Sequence, residues 1–190
     1  MEMGPPSLPS PYVSTWEELR SLIWADALAM GVPHPERIVA LYDRPFEYGL
    51  PGVALNNYGL DTTYLCSTYS FLRLLGSLKL PAYGYYNSHG PSWEFPYLPV
   101  HAKDLYFIFG STAYRSQFSS AERTFARSLQ SAIVSDAATG KPTLPEFGEW
   151  PTFEASTSGT WMNLDLKSKL INGLRYEQCS TLDSEHAYFR

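Results

Sequence analysis

The segment of residues 99–110 constrains the fold most, because it joins a histidine at a segment boundary to an apolar run. His101 comes first, Asp104 follows, and the apolar run from Leu105 closes at a glycine. A histidine placed in this way is a candidate general base, since its unperturbed pKa lies near neutrality. The segment therefore suggests acid–base chemistry beside an apolar element, but the chain offers no convincing nucleophile for His101.

Composition and charge exclude several classes of protein. A chain of 190 residues can form one domain, and 44% hydrophobic with 17% charged residues is typical of a globular protein. The net charge of −5 and the lack of a Lys/Arg cluster argue against nucleic-acid binding. No run reaches the roughly 18 apolar residues that span a bilayer. The first residues are neither basic nor apolar, so we expect no signal peptide.

Capping residues and the helical spacing of apolar side chains predict four helices. They are expected at residues 14–30, 35–42, 61–76 and 118–136. Short aromatic or alternating segments predict two strands, at residues 82–86 and 161–166. We expect irregular structure in between: a Pro-rich arm (1–13), a glycine-rich loop (46–58), a long loop (87–100) and a tail after residue 166.

Three of these helices carry a capping signal at their first residues. Ser14 or Thr15 precedes Glu17 or Glu18 at the spacing of a capping box. Asp61 caps the third helix, and Ser119 or Ser120 caps the longest one, with Glu122 in its first turn. The candidate capping residues are Ser14, Thr15, Asp61, Ser119 and Ser120.

The two cysteines, Cys66 and Cys179, lie far apart in the sequence. Their spacing excludes a CxxC metal or redox motif. Two separate buried thiols are one interpretation of this pair. A disulfide is the other, and it would require an oxidising compartment. The residues alone leave both open.

The remaining histidines and the aromatic residues offer weaker candidates. His34 and His186 have no partner at metal-ligand spacing, so we predict no metal site. His89 is interpreted as part of a loop. Several aromatic residues are expected either to line a gorge or to pack in the core. They are Trp93, Phe95, Tyr97 and the group at residues 83–86.

Collinear motifs over residues 15–180 resemble the type-B carboxylesterases, the family that includes the cholinesterases. The run from His101 to Gly110 resembles the segment that carries the catalytic histidine of that family. Similar motifs lie in family order on both sides of it. They are Gly31-Val32-Pro33, Leu41-Tyr42-Asp43, Tyr64-Leu65-Cys66, residues 120–126, Thr139-Gly140-Lys141-Pro142, Trp150-Pro151-x-Phe153, Leu164-Asp165-Leu166, Arg175 and Cys179.

The resemblance implies an α/β class and a partial α/β-hydrolase fold, helix-rich with the last strands of the sheet. Residues 14–190 would be the C-terminal portion of a carboxylesterase domain. It implies that His101 is the catalytic histidine and that Asp104 is a neighbour of the site rather than the triad acid. It also implies a Cys66–Cys179 disulfide, as in cholinesterase-like members, and a secretory location for the full-length protein. No cofactor or metal is implied.

The chain departs from the family pattern in ways that bear on activity. It contains no Gly-x-Ser-x-Gly pentapeptide, and the family acid lies before the first residue of this chain. Ala102 follows His101, where the family usually has glycine. We therefore expect a C-terminal fragment that is inactive alone. The alternatives are a half-subunit that completes its site for a hydrophobic ester with a partner chain, and a non-catalytic ligand-binding or scaffold module.

Overall fold

The computed structural model describes residues 13–93, 102–110, 116–154 and 159–185. The chain divides into two compact units, one of Met1–Phe71 with Arg175–Arg190 and one of Leu72–Leu174. The first unit is helical and the second contains the strands. No helix among the described residues has both the length and the apolar character that a bilayer crossing requires.

Five of the helices precede the first strand in the described part of the chain. In chain order they are α1 (Trp16–Ala29), α2 (Pro35–Tyr42), α3 (Pro45–Tyr48), α4 (Pro51–Leu60), a π-helical turn (Asp61–Leu65), α5 (Cys66–Ser77), β1 (Gly84–Asn87), α6 (Asp104–Phe109), α7 (Ser120–Thr139), β2 (Thr143–Leu144), β3 (Gly148–Glu149), β4 (Thr160–Leu164), β5 (Lys169–Asn172) and α8 (Tyr176–Ser184).

Helix α1 confirms the capping box predicted at its start. The Thr15 hydroxyl accepts a hydrogen bond from the amide of Glu18 at 3.1 Å, and the Glu18 carboxylate accepts one from the amide of Thr15 at 3.1 Å. Leu19, Ile23 and Ala27 follow at a spacing of one turn and are buried. Their stripe attaches α1 to the core of the first unit.

The glycine-rich loop predicted at residues 46–58 is wrong, because this stretch forms most of α3 and α4. Pro45 and Pro51 each occupy the first turn of a helix, where the missing N–H of proline costs nothing. Ala54 and Tyr58 of α4 are buried. Tertiary burial thus compensates for the low helix propensity of the glycines in this segment.

The cap predicted at Asp61 is also wrong, because α4 runs through a π-helical turn into α5 without a break. The buried Asp61 carboxylate binds other side chains: it accepts hydrogen bonds from the Tyr42 hydroxyl and from Nε of Arg175, both at 2.9 Å. Burial raises the pKa of Asp61, and the bonds from Arg175 and Tyr42 oppose that rise. Asp61 therefore joins α2, α4 and the start of α8.

The tail predicted after residue 166 contains two further elements, β5 and α8. Helix α8 buries Gln178, Cys179 and Leu182 in the first unit. Only one of these is a large aliphatic residue, so the sequence showed little helical apolar periodicity here. Strand β5 is an exposed edge strand, which explains its weak alternation.

A three-stranded sheet in the order β1-β4-β5 forms the centre of the second unit. Strand β1 pairs with β4 in parallel, with Gly84 opposite Trp161, and β4 pairs with β5 in antiparallel orientation. Both predicted strands are confirmed, within a few residues of their predicted bounds. A separate two-stranded ladder joins β2 and β3.

Helices α6 and α7 contact each other, and both contribute side chains to a buried cluster that includes Met162 and Leu164 of β4. Helix α7 begins after Ser119, whose hydroxyl accepts from the amide of Glu122 at 3.2 Å, so the predicted cap is confirmed. It ends at Gly140, which adopts a left-handed φ of 71°. The buried cluster consists of Phe107, Phe118, Phe125, Ala126, Leu129, Ala132, Leu144, Trp150, Met162 and Leu164.

Gly159 precedes β4 with a positive φ of 77°, and a Cβ there would overlap the ring of Phe153. Gly148 also has a positive φ, 92°, but a Cβ there would meet open space. Gly159→Ala is therefore expected to reduce the free energy of unfolding by about 1–3 kcal/mol more than Gly148→Ala. Urea unfolding of both variants measures the difference, and equal losses would contradict the packing argument.

Candidate functional site

The predicted catalytic residue, His101, lies outside the described residues, and the structure begins again at Ala102. Ala102 has a φ of 68°, a left-handed conformation that favours glycine. A residue with a Cβ pays roughly 1–2 kcal/mol for it. The backbone after His101 therefore keeps a conformation suited to glycine although this sequence has alanine.

Asp104 is the first residue of α6, close in sequence to His101. Its carboxylate accepts a hydrogen bond from the hydroxyl of Tyr85, on β1, at 2.9 Å. Burial raises the pKa of Tyr85, and the nearby charge of Asp104 raises it further, so the phenol stays protonated and donates. Asp104 thus connects the start of α6 to β1, and its role in a site stays a prediction.

Helix α6 contains the apolar run of the segment and buries one of its residues, Phe107, in the core. Phe107 is fully buried and stacks on Phe118 at 5.3 Å between ring centroids. The helix ends at Gly110, and the side-chain amide of Gln130 donates to the carbonyl of Phe107 at 2.9 Å. The sequence identified this run as apolar but did not predict that it forms a helix.

His89 has charged partners that the sequence analysis missed. It follows β1 in a loop, as interpreted, but its side chain is only 14% exposed. Its Nε2 lies 3.4 Å from Oε1 of Glu122, and its Nδ1 lies 3.2 Å from Oδ1 of Asp165. Both partners are distant in the sequence, and no local spacing could have paired them with His89.

Glu122 is the buried centre of this group. Its carboxylate accepts from the amide of Ser92 at 2.7 Å, from the Ser92 hydroxyl at 2.9 Å and from the amide of Ser119 at 2.7 Å. Burial alone would raise the pKa of Glu122, but these hydrogen bonds outweigh it and lower the pKa to about 2. Glu122 is therefore ionised throughout the neutral range.

Cys66 and Cys179 form a disulfide, which confirms the pairing that the resemblance implied. Both residues are fully buried, and the bond joins the first residue of α5 to α8 within the first unit. It closes a loop with a sequence separation of 113 residues.

Comparison with known proteins identifies the family. The Carboxylesterase family model matches residues 52–182. The chain belongs to the carboxylesterase family. A solved PNB esterase is similar in structure, with a TM-score of 0.65 and 21% sequence identity. The match covers 88% of this chain and 33% of that one, so the chain spans about a third of the esterase. No curated protein matches.

Two of the predicted gorge residues in this carboxylesterase-family chain, Trp93 and Tyr85, pack against other aromatic rings. Trp93 stacks on Phe118 at 5.2 Å and meets Tyr106 edge-on at 6.2 Å. Tyr85 meets Trp150 edge-on at 6.1 Å. Phe95 and Tyr97, the other predicted gorge residues, lie outside the described residues.

No group of three or more His, Cys, Asp or Glu side chains in the described part of this family member could hold a metal ion. His34 lies at the start of α2, and its Nδ1 is 3.2 Å from a carboxylate oxygen of Glu36. His186 lies outside the described residues.

Proposed function

We propose that this chain is the C-terminal part of a serine carboxylesterase, that it contributes His101 to a Ser–acid–His site, and that it is inactive alone. The family match supports an esterase ancestry. The sequence contains no Gly-x-Ser-x-Gly motif for a nucleophile. A chain that spans 33% of a similar esterase would leave the serine and the acid to the other two thirds.

The share of a similar esterase that this chain covers is the single observation that carries this proposal. The match takes in 88% of this chain but 33% of the PNB esterase. The serine motif that the proposed mechanism needs is absent from these 190 residues. The other two thirds of such an esterase would supply it.

In the completed site, the chemistry follows from the residue types. A serine hydroxyl attacks the carbonyl of a hydrophobic ester while His101 accepts its proton as general base. His101 then returns the proton to the leaving alcohol. The acid from the remaining portion orients the imidazole, and backbone amides there form the oxyanion hole. Asp104, which binds Tyr85, holds α6 beside His101 and takes no proton in this scheme.

A second candidate function rests on the same coverage of the similar esterase. The serine and the acid would then come from a separate polypeptide, so that this chain is a half-subunit of an esterase. Both candidates give His101 the same role, and they differ only in whether one chain or two carry the site.

The rate of ester hydrolysis by the purified chain tests whether the chain is inactive alone. We expect the purified 190-residue chain to hydrolyse p-nitrophenyl butyrate no faster than its His101→Gln variant, because no serine is activated. A fluorophosphonate probe, which labels activated serines, should leave both unlabelled. Labelling of the chain together with a loss of rate in His101→Gln would contradict the proposal.

The form of the protein that occurs in the source cells distinguishes the two candidate functions. Fluorophosphonate-labelled proteins from the source cells are separated by mass, and their tryptic peptides are compared with this sequence. A labelled polypeptide much larger than 21.4 kDa that contains these peptides supports one continuous esterase. A labelled polypeptide that lacks them but purifies with this chain supports the half-subunit. A chain that is found alone at its own mass, with no labelled companion, would overturn both.

A further inference from the structure

The disulfide of the first unit lies between two pairs of polar side chains that join the same two segments of the chain. On one side of the bridge, the carboxylate of Asp61 accepts a hydrogen bond from Nε of Arg175 at 2.9 Å. On the other side, the hydroxyl of Ser70 donates to the carboxylate of Asp183 at 2.8 Å. We call these the flanking pairs, because each joins the segment that carries one cysteine to the segment that carries the other.

Backbone hydrogen bonds fix the spacing between the first flanking pair and the bridge. The amide of Cys66 donates to the carbonyl of Asp61, which is a bond of the π-helical turn. The amide of Cys179 donates to the carbonyl of Arg175 at 2.9 Å. Residues five apart on an α-helix lie about 140° apart around its axis, and the wider π turn reduces that angle. Each charged residue therefore lies one hydrogen-bonded turn before its cysteine.

The side chain of Arg175 is held on several sides. Its Nε binds Asp61, its Nη1 donates to the hydroxyl of Tyr48 at 2.9 Å, and its guanidinium lies 5.7 Å from the ring centroid of Tyr42. The backbone of Arg175 has a left-handed φ of 53° directly before α8. A residue with a Cβ keeps this conformation only where its surroundings impose it. The contacts of the guanidinium therefore fix the start of α8.

Apolar burial contributes little to the attachment of α8. The buried residues of this helix are Gln178, Cys179 and Leu182, and only Leu182 is a large aliphatic residue. Further ion pairs bind α8 and the residue after it to other segments, namely Arg44–Glu177 and Arg37–Glu185. The flanking pairs instead attach α8 to the segment that carries Cys66.

We propose that the flanking pairs position the two cysteines: in the reduced chain they keep Cys66 beside Cys179, and this raises the equilibrium constant for closing the bridge with a low-molecular-weight disulfide. A docked α8 gives each thiol a high effective concentration of the other. This inference concerns the first unit alone and does not depend on the proposed esterase function.

Oxidised glutathione serves as the low-molecular-weight disulfide. One cysteine thiolate attacks a sulfur of oxidised glutathione and expels a glutathione thiolate, which leaves a mixed disulfide on the protein. The second cysteine thiolate attacks the protein sulfur of the mixed disulfide and expels the other glutathione. Two protein thiols are thereby oxidised and give up their protons, and one oxidised glutathione is reduced to two thiols.

The test is the equilibrium constant between the reduced and the oxidised whole chain in glutathione buffers, with alkylation of free thiols and mass spectrometry to count both forms. The chain has two cysteines, so no other intramolecular bridge competes. Asp61→Asn should lower the constant by about tenfold or more, because an amide binds a guanidinium less strongly than a carboxylate does.

Ser70→Ala tests the second flanking pair without leaving a buried charge unpaired. It should lower the equilibrium constant by a smaller factor, about threefold. If Asp61→Asn does not fold, Ser70→Ala decides the proposal. Constants equal to that of the parent in the variants that fold would overturn it.

Glu122→Gln is the matched control, because it replaces an equally buried carboxylate in the second unit. The side chain of Glu122 is 1% exposed and that of Asp61 is 2% exposed. We expect this variant to lose stability but to keep the equilibrium constant within about twofold of the parent. Equal losses in Asp61→Asn and Glu122→Gln would mean that the constant follows general stability, and would overturn the proposal. Because no step measures ester hydrolysis, either result leaves the esterase proposal to its own test.

Discussion

Replacing Cys66 and Cys179 together by alanine is expected to reduce the free energy of unfolding by about 4–5 kcal/mol. The disulfide closes a loop with a sequence separation of 113 residues, and a crosslink that spans such a loop removes much conformational entropy from the unfolded chain. Both sulfurs are buried beside α5 and α8, so the variant also loses packing. Urea unfolding of the oxidised parent and of the double variant measures the loss.

Reduction of the parent protein is the matched control for this prediction. Dithiothreitol should lower the stability of the parent towards that of the double variant, and it should leave the double variant unchanged. A double variant that unfolds within about 1 kcal/mol of the oxidised parent would contradict the argument from loop closure. The same result would mean that packing between α5 and α8 carries the stability of this region.

The sequence predicted those elements whose local signals agree with their tertiary environment. Thr15 with Glu18 and Ser119 with Glu122 form capping boxes, and both helices begin where the sequence predicted. The two predicted strands are aromatic or apolar and lie in the sheet. In each case the residue type favours the same structure that burial stabilises.

The elements that were missed depend on contacts that no local window contains. The glycine-rich stretch that suggested a loop forms most of α3 and α4, and Asp61 binds a distant arginine instead of capping a helix. Helix α8 is polar in sequence because one of its inward residues is the disulfide cysteine and another is Gln178. In each of these segments, contacts with residues distant in the sequence determine the structure.

The candidate site was predicted in part. The resemblance led to the family, which the match over residues 52–182 shows, and to the disulfide, which the structure confirms. His101 stays a prediction because it lies outside the described residues. His89 was assigned to a loop because its partners, Glu122 and Asp165, come from α7 and from the turn after β4.

Glu122→Gln is expected to destabilise the chain by about 3 kcal/mol at neutral pH. The pKa of Glu122 falls from the ordinary 4.5 to about 2 in the folded state, and each unit of such a shift is worth about 1.4 kcal/mol. Each oxygen of the Glu122 carboxylate already contacts two groups: Oε1 contacts Ser92 and His89, and Oε2 contacts Ser92 and Ser119. A glutamine would replace one of these oxygens by an NH₂ group, which would face hydrogen-bond donors. Unfolding by urea at a series of pH values measures this.

The sign of the pH dependence follows from the lowered pKa. Above about pH 4.5 the carboxyl is ionised in both states and its full contribution is present; as the pH falls towards about 2, the unfolded state takes up the proton first and the contribution disappears. The parent and Glu122→Gln should therefore converge in stability on acidification. Glu18→Gln is the control, because Glu18 forms the same capping box at an exposed site, where we expect a small loss. If both variants lost the same stability at every pH, Glu122 would be an ordinary cap and the buried group around His89 would contribute nothing to folding.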